Sequence, residues 1–228
     1  MWFGLVFGVF AVEMAWLASV LQGWGYLLLW PAASFAIVSF GYFFRVPSVM
    51  GKRDDGKHQL LFRLLHIPFR ALLLLSDAIR AITRRKEDPY NLIAPGLWLG
   101  RRLSNSSKLP DEVSAILDVT AEHARIRGAD ALDYHVLPTL DGQPPEKQAL
   151  ERLLDRLAPY PKTIYVHCWA GRGRSATVLA GLLLKRGVAT DIDHAVEIMQ
   201  IVRPQVKLSK SQRAMLESIF LTEWERPA

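Results

Sequence analysis

Cys168 and Arg174 stand six positions apart in Tyr165-Val166-His167-Cys168-Trp169-Ala170-Gly171-Arg172-Gly173-Arg174-Ser175, with two glycines between them. An apolar run precedes the segment and a helical pattern follows it. A thiol and a guanidinium held that close suit one reaction, displacement at the phosphorus of a phosphate ester. Gly171 and Gly173 let the backbone curl so that successive N–H groups point inward and form an anion nest. A helix starting near Ser175 adds the positive end of its dipole to the same spot. Arg174 can offer a planar fork of donors to two phosphoryl oxygens. In such a cradle a cysteine pKa falls below the roughly 8.5 of a free thiol. Cys168 is therefore the candidate nucleophile, and Trp169, Ala170, Gly171, Arg172, Gly173 and Arg174 form the candidate phosphate-binding loop. A lone cysteine ahead of a helix is more often a small core hydrophobe; the arginine and glycine spacing is what favours chemistry.

Thiolate attack on a phosphomonoester expels an alkoxide, a poor leaving group until it is protonated. A general acid on a loop facing the nucleophile supplies the proton. Asp141 in Leu137-Pro138-Thr139-Leu140-Asp141-Gly142-Gln143-Pro144-Pro145 fits, because it follows a predicted strand and precedes a helix opened by Pro145. An Asp-Gly pair is also a common turn. Asp118, at the end of an apolar strand, and Asp130 and Asp133 are the rivals.

The pattern H-C-x5-R-[ST] resembles that of the cysteine-dependent phosphatases, specifically the dual-specificity branch, and the likeness covers roughly Asn91 to Phe220. It implies a thiolate nucleophile at Cys168, a phosphoryl-binding Arg174, an acid loop at Asp141, and a Ser175 that helps the thiolate leave a phosphocysteine intermediate. His167 would orient the loop. Such chemistry needs no metal and no other cofactor, and the remaining histidines show no metal-ligand spacing. Arg203 in Ile201-Val202-Arg203-Pro204 resembles a bracing position of the family, but reads best as a helix-end salt bridge. Arg172 adds a second cation to the loop, as in branches acting on phosphoinositides and on phosphatidylglycerophosphate. Gly171-Arg172-Gly173-Arg174-Ser175-Ala176-Thr177 is similar to the latter, departing from it at Trp169 and Gly173. A sulfurtransferase, another cysteine-in-a-loop enzyme, leaves Asp141 unexplained.

The elements that must position these groups follow from periodicity and caps. Asn91–Gly100 resembles the entry strand of that family, and short apolar runs predict further strands at Ala115–Val119, Tyr134–Leu137 and Thr163–His167. Helices are predicted at Pro145–Leu157, Ser175–Arg186, Ile192–Val202 and Ser209–Glu223. Strands alternating with helices imply an α/β sandwich around a central sheet, and the resemblance implies that it is a dual-specificity-phosphatase-like sheet flanked by helices. It is preceded by something else. From Met1 to Phe44 the only charged side chain is Glu13. Two apolar runs, Trp2–Leu21 and Gly25–Phe44, each approach the ~20 residues that cross a bilayer as a helix. No basic leader precedes them, which argues against a cleaved signal peptide. Pro31 marks a kink or a packing feature of the second run.

Residues 45–90 carry ten Lys/Arg against five acids and so hold most of the net charge of +6. By the positive-inside rule this flank is cytoplasmic; in a bacterial cell that places the chain in the inner membrane with its active domain facing the cytoplasm. A single cysteine, needed reduced, agrees. Leu60 to Ile82 alternates apolar residues with arginines and suits one or two interfacial helices broken near Pro68, or a face packed on the catalytic domain. The expected organisation is a transmembrane hairpin (1–45), a basic amphipathic juxtamembrane segment (46–90) and a catalytic domain (91–228). No aromatic-interleaved basic patch supports nucleic-acid binding. The expected partners are an anionic phospholipid membrane and a phosphorylated lipid or phosphoprotein. The leading expectation is a membrane-anchored phosphatase acting on a lipid head group such as phosphatidylglycerophosphate. An anchored tyrosine or dual-specificity protein phosphatase is the nearest alternative, and a non-catalytic phosphate-binding membrane adaptor the alternative of another class.

Overall fold

A computed structural model describes residues 2–83 and 87–224. The basic triplet Arg84-Arg85-Lys86, part of the charge argument above, lies outside the described residues. The chain divides into two compact units, Met1–Arg53 with Lys57–Glu87, and Asp54–Gly56 with Asp88–Ala228.

The first unit begins with α1 (Trp2–Leu21) and α2 (Leu29–Phe44), joined through a 3-10 turn at Gly23–Leu28. Trp2–Leu21 and Gly23–Phe44 are long and apolar enough to cross a membrane by length and composition. Their seam is built from small residues. A Cβ on Gly4 would lie 3.2 Å from Tyr42 Cβ, and one on Gly8 would lie 3.1 Å from Ser39 Oγ. Ser39 Oγ donates to Gly4 O at 2.7 Å, so close backbone approach and a hydrogen bond hold the pair, as in lipid-embedded helices. Glu13 is exposed. Pro31 falls in the first turn of α2, just after the change from 3-10 to α-helix.

The amphipathic stretch forms α3 (Leu60–Leu65) and α4 (Ile67–Thr83), parted at His66. The sequence offered it two homes, the membrane surface or the catalytic domain. Its inner side packs on the hairpin. His66 bonds Val49 O through Nε2 (2.9 Å) and Ser34 Oγ through Nδ1 (3.2 Å). Trp30 Nε1 donates to Leu65 O, and the buried Phe69 ring meets Phe7 edge-on at 5.4 Å. The opposite side, with Leu60, Leu61, Leu74, Leu75, Ile79 and Ile82, stays exposed.

The second unit is a five-stranded sheet in the order β1-β2-β5-β3-β4. The strands are β1 (Tyr90–Ala94), β2 (Leu97–Arg101), β3 (Ala115–Asp118), β4 (Asp133–Val136) and β5 (Ile164–Cys168). The expected single opening strand is in fact the antiparallel pair β1–β2. Pro95-Gly96 turns the chain there, Gly96 taking a φ of 75° that favours glycine. The other neighbours are parallel. Helices α5 (Lys147–Leu157), α6 (Arg174–Lys185), α7 (Ile192–Val202) and α8 (Lys210–Trp224) follow the predicted spans to within two residues. Side-chain alternation sends Leu97, Leu99, Leu117, Val166 and Cys168 into one core with the inner faces of these helices. Ile116 and Tyr165 point the other way, into a smaller core closed by the 103–132 segment. Central β5 is buried along its whole length, so its end is a rigid base for the loop that follows.

Candidate active site

Cys168 is the last residue of β5 and Arg174 the first of α6. The five residues between them must reverse direction within one loop, and hydrogen bonds to their carbonyls fix how they do so. Trp169 O accepts from Arg102 N, Ala170 O from Arg203 Nη2, and Gly171 O from Arg203 Nε at 2.7 Å. Arg172 O accepts from Lys207 N, and Gly173 O from Thr177 N. With its carbonyls turned outward, the loop turns amides inward: Gly171 N donates to Cys168 Sγ at 3.3 Å. Gly171 has a φ of 69°, and a Cβ there would lie 2.4 Å from the carbonyl carbon of Gly100. Glycine is required on both counts.

Burial pushes the Cys168 thiol up. The Arg174 charge, the Ser175 hydroxyl and the backbone amides of Ser175 and Arg172 outweigh it and hold the thiol below its ordinary value. Ser175 Oγ donates to Sγ at 3.2 Å, a position from which it can support a departing thiolate. The buried Arg174 is anchored by Glu122 in a two-pronged pair, Nη1 to Oε2 at 2.9 Å and Nη2 to Oε1 at 2.8 Å. Nη1 also donates to Thr139 O at 2.7 Å, and Nη2 lies 3.1 Å from Asp141 Oδ1. Its Nε–H, also buried, has no partner among the described residues, which leaves a donor for a phosphoryl oxygen. Burial alone would raise the Glu122 carboxyl, but Arg174 pulls it down to about 2.

Of the four aspartates considered as acids, Asp141 is the one paired to Arg174, with its side chain 41% exposed. Asp118 is fully buried and accepts from Thr120 N, Thr120 Oγ1 and Tyr134 OH; it ties down the end of β3. Asp130 lies 3.8 Å from Arg125, and Asp133 takes Lys162 and Tyr160. His167 is fully buried, 4.0 Å from Asp118 and tilted against Tyr165. Arg172 is half-buried on the loop. Among the described residues no group of His, Cys, Asp and Glu could hold a metal ion.

Three partners escaped the sequence reading or were misread. Arg203, expected as a helix-end salt bridge, instead braces the loop: besides Ala170 O and Gly171 O it reaches Asp88 O and Asn91 Oδ1. The Gly171 turn exposes carbonyls that only a long, multi-donor side chain can collect. Glu122 was missed because it follows β3 on an irregular segment; its only signal was an acid soon after an apolar strand. Gln212 donates to Gln143 O and accepts from Ser209 N, joining the Asp141 loop to the start of α8.

Residues 111–226 match the family model of the Swiss Army Knife protein, DSP-PTPase phosphatase domain. The phosphatidylglycerophosphate phosphatase PTPMT2 of Arabidopsis thaliana is 46% identical over 56 residues, 25% of this chain and 24% of that protein. Dual specificity protein phosphatase 12 of Rattus norvegicus is 30% identical over 132 residues, 52% of this chain and 37% of that protein. The matched stretches thus span well under half the length of these relatives. Among solved structures, PTPMT1 in complex with PI(5)P superposes with a TM-score of 0.53 at 21% identity, over 62% of this chain and 100% of that one. That likeness is one of fold.

Proposed function

The chain belongs to the family of Swiss Army Knife proteins with a DSP-PTPase phosphatase domain and is a cysteine-based phosphatase, and on that premise we propose that it is membrane-anchored and acts on a phosphorylated lipid head group. Phosphatidylglycerophosphate is the leading substrate. In this reading the Cys168 thiolate attacks phosphorus while Arg174 Nε and Nη2 take two equatorial oxygens, Nη2 exchanging Asp141 for substrate. The P–O bond breaks as Asp141 gives its proton to the departing alkoxide, leaving phosphate on Sγ. Water then attacks the phosphocysteine and Asp141 takes a proton from it. The S–P bond breaks with the Ser175 hydroxyl bonded to the returning thiolate. The inward amides from Trp169 to Gly173, with Arg172, hold the phosphoryl group, and His167 supports the loop from beneath. No step calls for a metal.

The observation that carries the chemistry is the position of Cys168 Sγ, held by Gly171 N and Ser175 Oγ beside the Arg174 charge. Support for the lipid comes from two helices of spanning length and the match to a phosphatidylglycerophosphate phosphatase. An anchored site meets a membrane-bound substrate at high effective concentration. The basic flank at 45–90 suits an anionic cytoplasmic leaflet, with the catalytic domain on that side. The longer match to a dual specificity protein phosphatase favours a second reading with the same chemistry and a phosphoprotein substrate. Phosphate release from phosphatidylglycerophosphate in mixed micelles, set against phosphotyrosine peptides, separates the two. A higher kcat/KM on the lipid is expected, and preference for the peptide would remove the lipid reading.

A further inference from the structure

The end of β2 runs directly beneath the phosphate loop and carries two consecutive arginines that the mechanism does not use. Arg101 is the Cα partner of Cys168 in the parallel β2–β5 register. It follows Leu97 and Leu99 on the face that also holds Cys168, so its side chain leaves the sheet on the nucleophile's side. Adjacent strands lie about 4.8 Å apart, which puts the base of Arg101 one strand spacing from the candidate nucleophile. The Gly100–Arg101 peptide is where a Gly171 Cβ would collide, 2.4 Å from Gly100 C and 2.7 Å from Arg101 N. Arg102 then bridges the walls of the pocket. Its amide donates to Trp169 O in the loop. Its Nε and Nη2 donate to Ala124 O, two residues beyond the Glu122 that anchors Arg174. Neither guanidinium meets a carboxylate among the described residues, and both residues are half-buried. Arg213, by contrast, is paired with Asp193 and Glu217. Two half-buried arginines without a carboxylate partner, one in register with the nucleophile and one bonded to both the loop and the segment after Glu122, favour a second anion.

We propose that Arg101 and Arg102 form a second anion subsite, which takes the phosphodiester of a lipid head group while the 168–175 loop holds the terminal phosphomonoester. This rests on the lipid reading above and narrows it. The substrate must carry a diester about one glycerol unit from the reacting phosphate, a group that a phosphotyrosine peptide lacks.

The test uses the full chain in detergent micelles and three substrates: short-chain phosphatidylglycerophosphate, glycerol phosphate and a phosphotyrosine peptide. Glycerol phosphate offers the same reacting ester without the diester arm. The wild type should prefer the diester-bearing lipid in kcat/KM. Arg101→Gln, and Arg102→Gln beside it, should lower kcat/KM on the lipid by about tenfold more than on glycerol phosphate, mainly through KM. Arg102 also caps Ala124 O, so Arg102→Lys, which keeps the charge, should recover part of the preference. An equal loss on lipid and glycerol phosphate would make the arginines structural and overturn the subsite alone. A wild type that prefers the peptide would remove the lipid reading and the subsite with it.

Discussion

The guanidinium of Arg174 is committed on three sides before any substrate arrives, to Glu122, Thr139 O and Asp141. Removing one partner of a buried ion pair leaves the other charge uncompensated, so Glu122→Ala should cost on the order of 3 kcal/mol of stability, seen as a lowered Tm and a disabled phosphate site. Glu122→Gln tests the charge alone. The carboxyl is held near 2 when folded, below its ordinary 4.5. Its stabilisation is complete above the unfolded value and disappears as pH falls through the folded one. Wild-type stability should therefore decline between about pH 4.5 and 2 by an increment that Glu122→Gln lacks. Asp141→Ala should slow esters of alkyl alcohols by about a hundredfold or more and nitrophenyl esters far less, because nitrophenolate leaves without a proton. Equal losses would reduce Asp141 to a turn residue. That Cys168, Arg174 and Asp141 converge was legible in the sequence, from the loop spacing and from the place of Asp141 between a strand and a helix. Glu122 and Gln212 were not: each acts through a partner distant in the chain, and nothing local marks an acid or an amide for that task.

At the scale of elements, the phosphate loop is held by a strand end, a helix start and the carbonyl-collecting Arg203. Gly171→Ala would force a Cβ into the Gly100 backbone at a φ of 69°. It should remove activity and phosphate binding together while circular dichroism still reports the sheet and helices, since the core of β5 and α6 is untouched. Retained activity would mean that the loop can form without this close approach. Most elements were legible because their apolar periodicity matches the face they bury: α7 was read to the residue, and α5, α6 and α8 within two. The β1–β2 hairpin was not legible as two strands, because the resemblance to an entry strand spans Asn91–Gly100 without marking the Pro95-Gly96 turn. The two homes weighed for α3 and α4 omitted the hairpin, because an amphipathic pattern states that a face is covered and not by what.

In the whole molecule a phosphatase unit follows an apolar hairpin whose seam is Gly4, Gly8 and Ser39. The full chain should sediment with membranes and resist extraction at alkaline pH, yielding only to detergent; release by alkali or salt would leave it a peripheral protein. The exposed row Leu74, Leu75, Ile79 and Ile82 on α4 gives that unit a second apolar surface suited to the interface. The hairpin was visible in composition alone, since a run with one charge in its first 44 residues has few other uses. The α/β domain was visible through alternation. Composition carried no information on which phosphate ester is cleaved; in the subsite proposal that depends on Arg101 and Arg102, which sheet register and not composition sets beside the loop.

In the proposed reaction, phosphate passes through one sulfur. Acid quenching during turnover, followed by mass spectrometry of the peptide containing Cys168, tests it directly. The account predicts phosphate on Cys168 in the wild type and neither adduct nor turnover in Cys168→Ser. Steady phosphate release from an enzyme that never carries phosphate on that residue would contradict it.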